Sequence, residues 1–363
     1  MKLNIGVIIG GPSPEHDISI LTGLQAGRVL EEKHKTSIIY WSKDNKWYLN
    51  STDLEGEDFL DTIKVTKNRI NIQFNDDPGF YLKKKKLEFD VLVNTCHGGP
   101  GEDGTLQSLL EVLNIPYTGP DSSLAQICMD KYIFTLLLKN SNLPVLDRAL
   151  LEDEMEGIEM NSPYILKPRF GGSSIGVEVV KNLETAKSLV KNSNLYSRGA
   201  ILEEYLEDSE DYLIAAFGYP DLNLSEIEKP IRDNTPSSIF NYQDKYLRNG
   251  GLEESSRELP ARLLEKENNE ILFLTKKLIE LIGIRGVYRI DFLKKDEKIY
   301  INEVNSIPGS LSTYLWKNTN LTKFSIIESI VLEALDASSN KWDTTGSDGD
   351  ALVKAKDIES KLG

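Results

Sequence analysis

The run Leu3–Ile9 (LNIGVII) most narrows what this chain can fold into: it stops at Gly10-Gly11, crosses a polar stretch at Ser13–Asp17 and enters a helix-like pattern from Ser19. Strand, glycine loop and helix in succession open an α/β unit. Lys35–Tyr40 and Phe89–Asn94 repeat the strand signal, and the second is the largely apolar kind that a parallel strand covered on both faces requires. Leu106, Leu109, Leu110 and Leu113 then follow the i, i+3, i+4, i+7 spacing of an amphipathic helix. The chain has 363 residues, too many for one core, and its 40% apolar content suffices for several and excludes wholesale disorder. An α/β (α+β) protein of two or three domains is expected.

Residues 42–88 are charged and irregular, with KKKK at 83–86, and read as a solvated hairpin elaborating the first unit. A boundary near Gly119-Pro120-Asp121 starts a new pattern, with Ile133, Phe134 and Leu137 on a helix. Tyr164–Lys167 and Val177–Val180 flank the glycine-rich PRFGGSSI as an antiparallel hairpin with a mobile tip. Residues 200–206 and 210–219 read as further strands and 220–260 as a long functional loop. A helix through Ile271, Leu274, Leu278 and Ile282 is stopped by Gly283. Strands Gly286–Leu293 and Ile299–Asn305 follow, and a helix at Phe324, Ile327, Val331 and Ala334 closes the folded part before a polar tail.

An excess of 15 acidic charges gives a surface field that repels phosphodiester backbones and anionic lipid, so neither nucleic acid nor membrane is an expected partner. Only Cys96 and Cys128 are present, too few for a disulfide framework and consistent with buried thiols in a reducing compartment. The opening MKLNIGVIIGGPSPEH is read as neither signal peptide nor membrane span, and a cytoplasmic protein is expected.

The sharpest chemical signal lies in the last two strands. Alternation places Arg289 and Asp291 on one face of their strand, and Glu303 and Asn305 on one face of the next. Clustered carboxylates repel unless a cation neutralises them, and two carboxylates with an amide oxygen are hard ligands of the Mg²⁺ type, which suggests a Mg²⁺-triphosphate site. Pairing of Arg289 with Asp291 and Glu303 on an exposed face is the alternative that spacing leaves open. Gly171–Gly176 after Lys167-Pro168 could bring backbone N–H groups to phosphate, or be a plain surface turn; it lacks the GK[ST] of a Walker loop. Gly99–Gly104 matches GxGxxG, but Glu102 and Asp103 would repel a pyrophosphate there. Asp103 can equally be a helix cap, and a lone histidine such as His97 is more often structural.

In order along the chain, GGPSPEHDIS, HGGPGEDGTLQSLLE with IPYTGP, MDK at 129–131, KPRFGGSSIG, LEEYL, YQDKYL, RIDF and NEVNSIPG resemble the D-alanine–D-alanine ligases of the ATP-grasp superfamily, from about Leu3 to about Leu335. The resemblance implies a three-domain ATP-grasp architecture: an N-terminal parallel-sheet domain at 1–120, a central subdomain at 121–206, a C-terminal subdomain at 207–337 with a closing loop near 229–260, and a tail at 338–363. It implies an ATP-dependent, ADP-forming ligase that joins two D-alanines through an acyl phosphate for peptidoglycan precursor synthesis. Two Mg²⁺ ions, with Mn²⁺ as substitute, and a homodimer are implied with it.

Carried over by position, Lys131, Lys167, Ser173 and Ser174 look like nucleotide-phosphate contacts, Glu203, Glu204, Tyr205 and Leu206 the adenine segment, and Glu210 the ribose contact. Lys245 would reach the γ-phosphate. Asp291, Glu303 and Asn305 would hold the metal, and Arg289 would neutralise the acyl phosphate and oxyanion. Glu15, His97, Ser173 and Tyr246 correspond to residues around the first D-alanine, with the glutamate on its ammonium. Gly309, Tyr314 and Leu315 correspond to the second-substrate side, where the family usually has a small serine in place of Tyr314. That departure leaves open a related ligase with a different amino-acid or peptide acceptor. Family relatives that make esters lack the loop tyrosine, so Tyr246 implies an amide product.

Overall fold

The computed structural model describes residues 1–152, 160–231, 257–337, 345–346, 349–354 and 357, arranged around three main sheets. The first contains β1 (Asn4–Gly10), β2 (Lys35–Trp41), β3 (Trp47–Asn50), β4 (Arg69–Gln73), β5 (Gly79–Leu82), β6 (Lys85–Lys86) and β7 (Val91–Asn94) in the order β6-β5-β4-β3-β2-β1-β7. Strand β1 pairs in parallel with both β2 and β7. Alternation along it sends Ile5, Val7 and Ile9 into the core beneath helix α1 (His16–Glu31) and Ile8 into the opposite core. The strand is thus covered on both faces, as its apolar composition demands.

Two expectations for this region are corrected. Helix α1 begins at His16, not Ser19, because these polar residues lie on its buried side and hold the glycine loop: Ser19 Oγ accepts from Gly10 N–H at 2.7 Å, and His16 Nδ1 lies 2.6 Å from Gly11 O. Residues 42–88 are not merely an irregular, solvated elaboration. After Trp41 the sheet continues antiparallel through β3, β4, β5 and β6, with Trp47, Ile70 and Phe80 buried; only the lysine-rich β5–β6 turn matches the exposed hairpin. These strands are only two to five residues long and are separated by charged, irregular connections, which masked them. A single turn, α2 (Thr62–Val65), lies within the segment.

After β7, the turn α3 (Gly99–Glu102) and helix α4 (Thr105–Val112) cover one face, with Leu106 and Leu110 buried. Cys96 and Cys128 are buried free thiols. Helices α5 (Ser122–Met129) and α6 (Lys131–Asn140) start on Asp121 and Asp130, whose side chains accept first-turn N–H groups. On α6 the buried face is Phe134, Thr135 and Leu138, whereas Ile133 is exposed, one position off the expected stripe.

The second sheet, β10-β9-β11-β8, is antiparallel and contains β8 (Arg148–Leu150), β9 (Tyr164–Pro168), β10 (Glu178–Val180) and β11 (Ala200–Glu204). Its β9–β10 hairpin carries Gly171–Gly176 at the tip, as expected, and helix α7 (Leu183–Asn192) backs it. Within the stretch expected as a loop at 220–260, β13 (Asn223–Leu224), β14 (Lys229–Pro230) and β15 (Arg257–Glu258) form short strands. The third sheet, β13-β12-β16-β17, adds β12 (Glu210–Phe217), β16 (Val287–Lys295) and β17 (Lys298–Asn305).

One face of the third sheet, through Tyr212, Ile214, Tyr288, Ile290 and Phe292, packs on α5, α6 and α8 (Glu265–Ile282). The other, through Ala215, Phe217 and Val287, joins the core of the first sheet and α9 (Lys323–Asp336). Helix α9 therefore seals the junction between the two ends of the chain. Of the tail, Asp350–Lys354 is a short exposed helix.

Candidate active site

The β16–β17 ladder pairs Arg289 with Asn305 and Asp291 with Glu303, then shifts register so that Phe292 faces Ile301. Asn302 is the extra residue of a β-bulge, and it changes which face the strand presents. Ile299 and Ile301 before it, and Val304 after it, are all buried in the same core, leaving Glu303 and Asn305 on the cavity side. Arg289 donates from Nε and Nη2 to both oxygens of Asp291 at 2.7 and 2.8 Å. This is the pairing that spacing left open, but Arg289 and Asp291 are only 6% and 7% exposed and line a cavity, not an open sheet face.

That cavity, about 1310 Å³ with its open mouth, lies between the second and third sheets. Lys131, Lys167, Ser174 and Glu203–Leu206 line it, as does Tyr314. Lys131 donates to Gly171 O at the hairpin tip and has Glu303 at 3.7 Å; burial pulls its ammonium below the usual lysine range. Lys167 pairs with Glu203, whose other carboxylate oxygen accepts from Arg148 Nε at 2.9 Å. Burial alone would raise the Glu203 carboxyl, but the two cations together hold it below the ordinary range. Ser173 and Ser174 both have left-handed φ (52° and 58°), strain of a kind that clusters at ligand clamps.

A second cavity of about 560 Å³ shares Lys131, Gly171, Gly172, Arg289 and Glu303 with the first and continues to Glu15, His97, Glu102, Ser173, Asn305 and Gly309. Ser173 Oγ donates to Glu15 Oε1, joining the hairpin tip to the first glycine loop. A Cβ at Gly98 would lie 2.3 Å, and one at Gly172 2.9 Å, from Glu15 Oε2, so both glycines form the cradle of this carboxylate. His97 lines the cavity but has both ring nitrogens engaged: Nδ1–H donates to Ile307 O at 2.6 Å and Nε2 accepts from Thr22 Oγ at 2.8 Å. Its pKa falls to about 4 through burial, so the ring is neutral.

Two expected residues sit elsewhere. Leu315 is fully buried in the core and lines neither cavity. Glu210, at the start of β12, is held by Lys229 and Lys294, while its neighbours Ser209 and Asp211 line the nucleotide-sized cavity. Lys245 and Tyr246 lie outside the described residues. Asp103 serves the fold: it accepts from Thr105 N–H at 3.2 Å and pairs with Arg198 at 2.8 Å. Glu102, dismissed at the level of motifs as an obstacle to pyrophosphate, is instead a buried carboxyl of the second cavity. It accepts from Gly98 and Ile307 N–H at 2.9 and 3.1 Å, and burial with nearby Glu15 pushes it up to about 7. Nothing in its local sequence marked it.

Among the described residues no three His, Cys, Asp or Glu side chains are grouped as metal ligands. The donors at the junction of the cavities are the carboxylates of Asp291 and Glu303 and the side-chain amide of Asn305, whose oxygen is its one metal-ligating atom. Such hard oxygen donors fit a divalent cation that shares its remaining positions with phosphate and water.

Two family models match, the D-ala D-ala ligase N-terminus over residues 4–120 and the D-ala D-ala ligase C-terminus over 137–332. The D-alanine–D-alanine ligase of Thermosipho melanesiensis is 34% identical over 358 residues, covering 93% of this chain and 95% of the relative. That of Helicobacter pylori is 29% identical over 334 residues, covering 89% and 93%. The solved D-alanine-D-alanine ligase from Coxiella burnetii matches with a TM-score of 0.76 at 22% identity and 99% coverage of both chains.

Proposed function

The chain belongs to the D-alanine–D-alanine ligase family and has its ATP-grasp fold, and from that premise we propose how its own residues carry the family's reaction. The activity is ATP-dependent joining of two D-alanines into the D-alanyl-D-alanine dipeptide of cell-wall synthesis, and the relatives do not favour a different acceptor. The observation that carries the assignment of residues is the junction: Lys131, Arg289 and Glu303 belong to both cavities, so a phosphate in one lies beside a carboxylate in the other.

ATP occupies the larger cavity, with its base against Glu203–Leu206, its ribose near Ser209–Asp211, and its phosphates facing Lys131, Lys167 and Ser174. The ammonium of the first D-alanine meets Glu15, which Ser173 orients. One oxygen of its carboxylate attacks the γ-phosphorus; the bond to the bridging oxygen breaks and its electron pair leaves with ADP. The second D-alanine then attacks the acyl-phosphate carbonyl as its neutral amine, and phosphate departs with the C–O bonding pair and takes up the proton that the new amide nitrogen sheds. Arg289 faces both the developing acyl phosphate and the tetrahedral oxyanion, where a fixed buried cation stabilises charge without reorganising. Divalent metal, which we propose as two Mg²⁺ ions replaceable by Mn²⁺, would be held by Asp291, Glu303 and Asn305 and would neutralise the β- and γ-phosphate oxygens.

Gly309, in the second cavity, and Tyr314, in the larger cavity that Arg289 joins to it, are assigned to the acceptor side, with Leu315 anchoring that segment from the core. His97 is a positioning residue, tying Ile307 to Thr22 of α1. Lys245 and Tyr246 are assigned from the family resemblance, to the γ-phosphate and to a link with Ser173. We further propose units bounded at 120, 206 and 337, and a cytoplasmic homodimer. Among the described residues no helix is long and apolar enough to cross a membrane.

A panel of D- and L-amino acids, scored by phosphate release and product mass, tests the reading. D-alanyl-D-alanine with one phosphate per dipeptide is expected. Brisk ATP turnover without amino acid, or a preferred acceptor other than D-alanine, would overturn it.

A further inference from the structure

Arg148 opens β8 as the direct cross-strand partner of Glu203, and its side chain is 1% exposed. A guanidinium has five N–H donors, and here each has an acceptor. Nε donates to Glu203 Oε2 at 2.9 Å; Nη1 to Thr135 Oγ at 3.1 Å and Lys131 O at 3.3 Å; Nη2 to Asn302 O at 2.8 Å and Asn302 Oδ1 at 3.0 Å. These acceptors belong to α6, the second sheet and the third sheet. Asn302 is the bulge residue that directs Glu303 toward the cavity, and Glu203 is the carboxylate that pairs with Lys167.

We propose that Arg148 is a positioning residue of this active site, locking the Asn302 bulge that aims Glu303 and sharing Glu203 so that Lys167 stays available to phosphate. The inference rests on the nucleotide and metal assignments above. With Arg148 absent, Glu203 has Lys167 as its remaining cationic partner and binds it more tightly, in competition with the triphosphate. At the same time the bulge carbonyl and amide lose their donor, and Glu303, the next residue, loses its fixed direction. A lysine replacement separates the two effects. Its compact ammonium can neutralise Glu203 but lacks the planar fork that reaches Glu203 and Asn302 together.

The test compares the full-length protein with Arg148→Met and Arg148→Lys. It measures binding of a fluorescent ADP analogue with and without Mg²⁺, the Mg²⁺ concentration that half-saturates that binding, kcat, and thermal melting. Arg148→Met should weaken nucleotide binding and raise the half-saturating Mg²⁺ by about 10- to 100-fold each, the range for groups that orient metal ligands. Arg148→Lys should recover nucleotide binding to within a few-fold while the Mg²⁺ requirement stays raised. If Arg148→Lys matches the parent in both, or loses both only in proportion to unfolded protein, the proposal is wrong. Failure of the parent itself to bind nucleotide would instead overturn the ATP assignment. Should Arg148→Met not fold, Arg148→Lys alone decides.

Discussion

Replacing Gly98 by alanine tests the Glu15 cradle, because a second glycine supplies a matched control. Gly98 (φ 62°, ψ 175°) and Gly283 (φ 75°, ψ 172°) occupy the same backbone region, one that essentially only glycine enters and that costs other residues about 1–3 kcal/mol. At Gly283 an added Cβ meets nothing within 4 Å, whereas at Gly98 it lies 2.3 Å from Glu15 Oε2 and 2.8 Å from Ser13 Oγ. Gly283→Ala should therefore lose the backbone term alone. Gly98→Ala must also move the Glu15 carboxylate off Ser173, forfeiting a charge-assisted hydrogen bond of about 1.5–3 kcal/mol. Urea unfolding of the two variants should differ by that amount. If Glu15 holds the first ammonium, kcat/KM for D-alanine should fall by about 10- to 100-fold in Gly98→Ala, at 1.4 kcal/mol per decade, with nucleotide affinity unchanged. Equal stability losses, together with parental kcat/KM in Gly98→Ala, would refute the cradle.

Glu303→Ala should lower turnover by on the order of a hundredfold or more yet fold normally by circular dichroism, since the buried Tyr288, Ile290 and Phe292 face holds the strands. Asp291→Ala should show the same kinetic loss but also destabilise by about 1.5–3 kcal/mol, because the buried Arg289 guanidinium loses its two hydrogen bonds to that carboxylate. His97→Asn should flatten the acid limb of stability. With a folded pKa of about 4 against 6.5 unfolded, neutral His97 costs the native state about 3 kcal/mol progressively as pH falls from about 6.5 to about 4. Glu102, raised to about 7, acts in the opposite sense as pH rises, so parent and variant must be compared by chemical unfolding at the same pH values. Tyr314→Ser sets the acceptor assignment against the phenol's place in the larger cavity, where the Arg257 guanidinium lies 4.5 Å above its ring: the acceptor profile in product analysis should change more than ATP affinity.

The parts of the fold legible in sequence were those in which pattern and burial agree. β1 carries apolar residues on both faces because it is covered on both, and strict alternation on β16 put Arg289 and Asp291 together. Alternation on β17 placed Glu303 with Asn305, but carried back through Asn302 it would also have put Ile301 on their face. The bulge resolves that conflict, and nothing in IYINEVN announces it. Polar residues turned inward escaped pattern reading: His16, read as part of the polar stretch Ser13–Asp17, put the expected start of α1 at Ser19, and Arg148 was not singled out at all. Leu315 came from positional resemblance, which fixes a place along the chain but not the direction of a side chain. Glu102 owes its raised carboxyl to burial and to nearby Glu15, and it accepts from Ile307 N–H, 205 residues away; only the folded chain supplies these contacts.

The central claim is that the D-alanine carboxylate itself attacks ATP at the junction of the two cavities. Supplying D-alanine labelled with ¹⁸O in both carboxylate oxygens and analysing the released phosphate by mass tests it directly. Attack by the carboxylate transfers one labelled oxygen to each phosphate formed, and that is the expected result. Unlabelled phosphate accompanying dipeptide would mean that no acyl phosphate forms, and would contradict the account.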